Sequence, residues 1–229
     1  VTPLRVGSSG TRAWADAGTR LLLEATDRLT DAELDRPCAL PGWSRRQLLA
    51  HVASNAEAIG RLLSWARTGV ETPMYASPQQ RTADIDTGAA RPDLREWVRD
   101  SAAELGRQLD TLPADAWSAQ VVTAQGRTVP ASETPWMRAR ETCVHAVDLA
   151  AGAGFADLPT GFLAALLDDV AAWRSARPGP AVLLTTTDTC HEITGDGEPV
   201  PVELPLPVAA AWLAGRHAAP DLPTLPRWL

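Results

Sequence analysis

The stretch that most restricts the fold is residues 134–153, TPWMRARETCVHAVDLAAGA, because it combines a helical apolar period with two metal-ligand side chains, Glu141 and His145. On a helix of about 3.6 residues per turn, positions i and i+4 lie one above the other, so this carboxylate and this imidazole can converge on one ion. Cys143, between them, points to the other side and is expected to be a core thiol, not a third ligand. Trp136, Ala139, Cys143, Val147 and Ala150 form the apolar stripe, and Glu141, His145 and Asp148 the polar one. Thr134 is expected as N-cap with Pro135 at the first helical position, and Gly152 and Gly154 as the stop. A Glu/His pair at this spacing is more often a solvated ion pair or a packed histidine than a metal site. A third ligand elsewhere in the chain would change that balance.

Upstream, Trp14, Ala17, Leu21, Leu22, Ala25 and Leu29 mark an amphipathic helix from Thr11 to about Leu29. Pro37, Pro41 and Gly42 make an ordered loop that ends at Ser44, whose pairing with Gln47 is a capping-box signature. The helix from about Ser44 to Thr68 carries Leu48, Leu49, Val52, Ile59, Leu62 and Leu63 on its apolar face, with His51 beside that face and Asn55 one turn on. His51 alone reads as a packed, hydrogen-bonded histidine; its value lies in combination. Ser77 and Pro78 begin a short helix with Arg81 on its first turns, and Asp93 to Leu112 is another helix. A short hairpin is expected about Gly126.

The expected fold class is therefore α followed by α+β: an N-terminal antiparallel four-helix bundle over residues 1–158, then a small α+β domain over 159–229. In the second part, a helix from Thr160 to Ala176 precedes the β-rich run AVLLTTT. HEIT and PVELPL then flank an Asp196-Gly197 turn, and PVAAAWLAGR closes as a helix.

All 21 basic residues are arginine. The absence of lysine excludes a Schiff-base lysine, a P-loop lysine and a Ser–Lys dyad. A formal charge of −7 with scattered arginines argues against nucleic-acid binding, and leaves small anions held by one or two placed arginines as natural ligands. Three dispersed cysteines, Cys38, Cys143 and Cys190, offer neither a disulfide framework nor a CxxC knuckle. With no apolar leader and no membrane-length apolar run, a soluble cytoplasmic protein is expected.

The combination LPGWSRRQLLAHVA, MYASPQQR and WMRARETCVHAVDLAAG with a small α+β tail resembles the mycothiol-dependent maleylpyruvate isomerase family over nearly the whole chain. The resemblance implies a DinB-like bundle, a sterol-carrier-like C-terminal domain, and zinc held by His51, Glu141 and His145. It implies activity-bearing arginines at Arg81 and Arg216, with Arg227 close enough to compete for the second role. It also implies mycothiol as thiol cofactor, a small anionic substrate, and a monomer. Asp148 is expected as a surface aspartate, with orientation of an imidazole as the alternative. His191, His217 and the Cys190-His191 pair are given no functional role. Two other readings stay open: zinc- and mycothiol-dependent S-transfer to an electrophile, and a non-catalytic module whose metal is structural or absent, with Asn55, Asp84 or Asp86 available to complete its shell and the tail a hydrophobic-ligand or partner-binding domain.

Overall fold

The Trp14–Leu22–Ala25 period forms α1, Ser9–Asp27, in a computed structural model that describes residues 9–228. A single turn, α2, Asp31–Leu34, follows where only loop was expected. Its cause is a capping box: Thr30 accepts from the Glu33 amide while the Glu33 carboxylate takes the Thr30 N–H. The next helix, α3, Arg45–Thr68, begins with the expected Ser44/Gln47 capping box and ends at Gly69 in the left-handed conformation. Ser77 caps α4, Pro78–Ala89, as expected from its hydroxyl and the proline after it. Then come α5, Leu94–Asp110, and a hairpin of β1, Gln120–Val122, and β2, Thr128–Pro130, turning through Gly126 at φ 75°.

The organising helix is α6, Thr134–Asp148. Its start departs from expectation: Thr134 is already helical and gives its hydroxyl to the Ala131 carbonyl at 2.7 Å, because the three residues before it already form a 3-10 turn. Its end departs too. Ala150, not a glycine, is the first residue to turn left-handed, at φ 52°, and Gly152 follows at φ 95°. Arg45 holds this turn by donating to the carbonyls of Leu149 and Ala150.

The described chain divides into two units, residues 9–153 and 154–228. In the first, α1 packs along α6, and α3 packs on α4, α5 and α6. The two apolar clusters of this unit meet along α3. Leu48, Leu49 and Val52 join Leu22, Leu34, Ile85 and Leu94 in one; Ile59, Leu62 and Leu63 join Leu105, Leu109 and Val121 in the other. Ser54 and Asn55, buried and polar, lie between the two sets in sequence.

In the second unit, α7, Thr160–Ser175, buries Phe162, Leu163, Leu166 and Val170 and packs on the closing helix α8, Leu206–Leu213. Its sheet has the order β4-β3-β5, with β3, Pro180–Thr185, in the middle. The strand β4, Cys190–Ile193, is antiparallel to β3, and β5, Asp196–Glu203, is parallel to it. The expected Asp196-Gly197 turn is instead the start of β5, and the chain bends at Thr194 and Gly195. A side chain at Gly195 would run into the Gly179 and Pro180 carbonyl groups, so the bend sits where only glycine fits. No helix of the described residues is long and apolar enough to cross a membrane.

Candidate metal centre

Three side chains from two helices meet in the first unit. His51 comes from the second turn of α3, and Glu141 and His145 from the polar face of α6. One ligand atom from each lies within 4.8 Å of the others, and no other such group of His, Cys, Asp and Glu occurs among the described residues. His51 Nε2 is 2.9 Å from Glu141 Oε2, and His145 Nε2 is 3.3 Å from the same oxygen. Both imidazoles thus present Nε2 to one point.

The groups behind the cluster fix those orientations. Asp148 Oδ2 sits 2.9 Å from His145 Nδ1, and the carboxylate is fully buried. This corrects the expectation of a surface aspartate. The spacing that put Asp148 on the polar stripe with Glu141 and His145 also puts it one turn from the imidazole, and packing closes over that face. A carboxylate on Nδ1 fixes the tautomer and leaves Nε2 as a donor pair for a metal. On the other side, Trp43 packs edge-on to His51 at 5.8 Å between ring centroids, and His51 and His145 are themselves T-shaped at 5.1 Å.

Charge follows this geometry. Burial pushes the His51 imidazole down, against the pull of Glu141, and so favours its neutral, ligating form. Burial alone would raise the Glu141 carboxyl, but hydrogen bonds from His145 and His51 hold it well below the usual range. Burial likewise opposes protonation of His145, yet its bonds to Asp148 and Glu141 prevail and carry it up to about 9. The proton that stays on His145 in this arrangement is the one a metal cation displaces.

Arg81, on α4, reaches the cluster: its Nη2 is 3.4 Å from His51 Nδ1, and its guanidinium lies 5.7 Å from the Tyr75 ring centroid. Arg216 belongs to the other unit, just after α8. Its Nη1 donates to the Ala214 carbonyl at 2.7 Å, and its guanidinium lies 5.8 Å from the Trp228 ring centroid. The candidate fourth ligands are engaged elsewhere. Asn55 Oδ1 accepts from Arg138, Asp84 from Gln80, and Asp86 from Gln47.

Arg138 went unrecognised in the sequence. It is buried, with Nη1 donating to the Val52 carbonyl at 2.9 Å and to Asn55 Oδ1 at 3.0 Å. Burial lowers it to about 10. Its signal was its spacing: Arg138, Glu141, His145 and Asp148 recur on one face of α6. Arg138 and Asn55 tie α6 to α3 one turn away from the His51–Glu141 contact, so two polar rungs set the register of the helices that carry the ligands.

Two expected results follow from this geometry. Asp148→Asn keeps the shape but removes the charge behind His145, and is expected to weaken metal affinity about 10–100-fold; competition with a chelating indicator measures it. Cys143 is fully buried and its thiol is pushed up to about 12, whereas Cys190 is exposed. A thiol reagent near neutral pH should therefore label Cys190 in the native protein and reach Cys143 only on unfolding, as read by peptide mass.

The donor set fits a divalent ion of borderline softness: two imidazole nitrogens and one carboxylate oxygen, the three-ligand pattern of zinc sites that keep an open position. Residues 15–150 match the family model described as mycothiol maleylpyruvate isomerase N-terminal domain. The chain is similar to a crystal structure of the mycothiol-dependent maleylpyruvate isomerase, with 38% identity, 96% of each chain covered and a TM-score of 0.90. The same values hold for a histidine-to-alanine mutant of that enzyme. YfiT from Bacillus subtilis, described as a probable metal-dependent hydrolase with an unusual four-helix bundle topology, shares the fold at 18% identity and a TM-score of 0.50, over 66% of this chain and 91% of its own. No curated protein matches the sequence. With its N-terminal unit matched by the family model and nearly its whole length matched at 38% identity, the chain belongs to the mycothiol-dependent maleylpyruvate isomerase family.

Proposed function

We propose that this protein converts maleylpyruvate to fumarylpyruvate in a mycothiol-dependent cis–trans isomerisation, with zinc held by His51, Glu141 and His145. The observation that carries this reading is the convergence of those three ligand atoms within 4.8 Å in a chain of this family. A divalent ion held by these three residues would supply Lewis acidity that favours the thiolate form of a thiol near neutral pH, the form able to add reversibly to an activated double bond and so allow rotation about it.

The chain's own residues divide the remaining work. His51 and His145 are neutral donors and Glu141 brings one negative charge, so the set leaves a dication with a net charge of about +1. Asp148 keeps His145 Nε2 facing inward. Arg81, beside His51 and against Tyr75, offers a planar fork suited to a substrate carboxylate and to the enolate charge that develops on addition. The resemblance assigns a second such arginine to Arg216. Cys143, the cysteine on the ligand-bearing helix, is buried with its thiol pushed up to about 12, and lysine is absent, so neither offers a nucleophile there.

The same reading takes α1, α3, α5 and α6 as an antiparallel DinB-like four-helix bundle within a domain of residues 1–158. Residues 159–229 then form a sterol-carrier-like domain, and the protein acts as a monomer. The test is turnover of maleylpyruvate by zinc-loaded protein with and without mycothiol. Thiol-dependent isomerisation that consumes no thiol and stops on chelation is expected. Net consumption of thiol would replace the reading with S-transfer to an electrophile.

A further inference from the structure

A second site lies wholly within the C-terminal unit. Between the end of α7, the start of β3 and the segment near Pro226 is a cavity of about 210 Å³. Its walls include the Trp173 indole, Ile193, Leu225 and the rings of Pro178, Pro180 and Pro226. Two arginines also line it, and they differ in kind. Arg177 is exposed, bonded through Nη1 to the Trp173 carbonyl at 3.0 Å, with its guanidinium 4.1 Å from the Trp173 ring centroid.

Arg174 is 5% exposed. It gives Nε and Nη2 to the Leu213 carbonyl and Nη1 to the Pro226 carbonyl. These acceptors are neutral. Among the described residues no carboxylate forms an ion pair with it, although Arg12, Arg46, Arg91, Arg95, Arg99 and Arg107 each have one. A guanidinium buried without a counter-charge is costly, and the apolar hollow beside it provides room for one.

We infer that this cavity binds a monocyclic aromatic carboxylate, its ring among Trp173, Ile193 and the prolines and its carboxylate toward Arg174 and Arg177. Size supports the ring: a cavity of about 150 Å³ accepts benzene, so about 210 Å³ takes one ring with a carboxylate attached. Flat walls of indole and proline favour a planar body over a flexible chain. The paired arginines supply the fork geometry that carboxylates prefer.

The probe is benzoate, titrated calorimetrically into the zinc-loaded full chain, with benzamide and hexanoate as neutral and aliphatic counterparts. Saturable binding of one benzoate per chain is expected, with both counterparts about tenfold weaker or worse. Arg177→Gln, at an exposed position, should weaken benzoate about tenfold, the worth of one charge-assisted hydrogen bond. It should leave maleylpyruvate turnover unchanged. His51→Ala should leave benzoate binding intact, which separates this site from the metal centre. Arg174→Lys, which keeps the charge in case Arg174→Gln does not fold, should bind more weakly than the parent because the fork is lost. No saturable binding, equal affinity for benzamide or hexanoate, indifference to Arg177→Gln, or loss of binding in His51→Ala would overturn the inference.

Discussion

Single replacement of His51, Glu141 or His145 by alanine is expected to abolish stoichiometric zinc binding and lower isomerase activity by more than about 100-fold, beyond what loss of a supporting partner costs. The chain should still fold. Each residue sits on a helix whose stability comes from the apolar clusters around Leu48, Leu62 and Leu105, not from the cluster itself. Metal content by elemental analysis, activity, and helicity by circular dichroism together decide the point. Activity that persists without bound metal would remove the metal from the chemistry. Loss of helicity in all three variants would make the cluster a structural one. His51→Ala and His145→Ala are expected to differ in one respect: the first leaves the bonded Glu141–His145 pair on α6, while the second removes the imidazole that both Glu141 and the buried Asp148 contact. Truncating the shared partner of two carboxylates costs more than truncating a partner of one, so His145→Ala should be the less stable variant.

The second large effect is expected far from any ligand. Gly18 lies where α1 crosses α6, and a Cβ there would come within 2.5 Å of Thr142 Oγ1, 2.6 Å of Cys143 Sγ and 2.7 Å of the Cys143 backbone nitrogen. The last of these cannot rotate away. Gly18→Ala must push the helices apart, at a cost of about 1–3 kcal/mol, or roughly 2–4 °C of melting temperature per kcal/mol for a chain of this size. Because Thr142 and Cys143 are the neighbours of Glu141, the shift is also passed to the ligands, and a displacement near 1 Å is enough to cost about 100-fold in activity. Thermal melting and zinc affinity should fall together. A stable Gly18→Ala protein with unchanged zinc affinity would mean that α6 is held by α3 alone.

Much of this architecture was legible because local signals agreed with the global fold. Ser44 with Gln47 and Ser77 with Pro78 placed two helix starts to the residue, and Gly126 placed the hairpin. The Glu141/His145 spacing identified one half of the cluster, because the helix period is a property of the chain itself. What failed were features that depend on packing. Asp148 read as surface because nothing local says that a helix end will be covered. Arg138 was passed over because its acceptors, Val52 and Asn55, are more than 80 residues away in sequence. Thr134 lost its cap role to a 3-10 turn that precedes it, and the single turn at Asp31 escaped notice because it is too short to show a period. The pairing of β3 with β5 was equally invisible, since a parallel partner is set by the whole sheet.

That pairing leaves β5 on the outside of its sheet, with Pro199 and Pro201 along it and Val200 and Val202 paired to β3. In a strand, alternate residues turn their N–H groups to opposite sides. The two prolines occupy the set that faces away from β3, so a foreign strand laid along this rim would find no donor at either position. Val200 and Leu183 are about 40% exposed, enough apolar surface to invite such a strand. The prolines make the rim a poor template, and together with the exposed Asp196, Glu198 and Glu203 of the same strand they protect the small sheet from zipping onto other chains at high concentration.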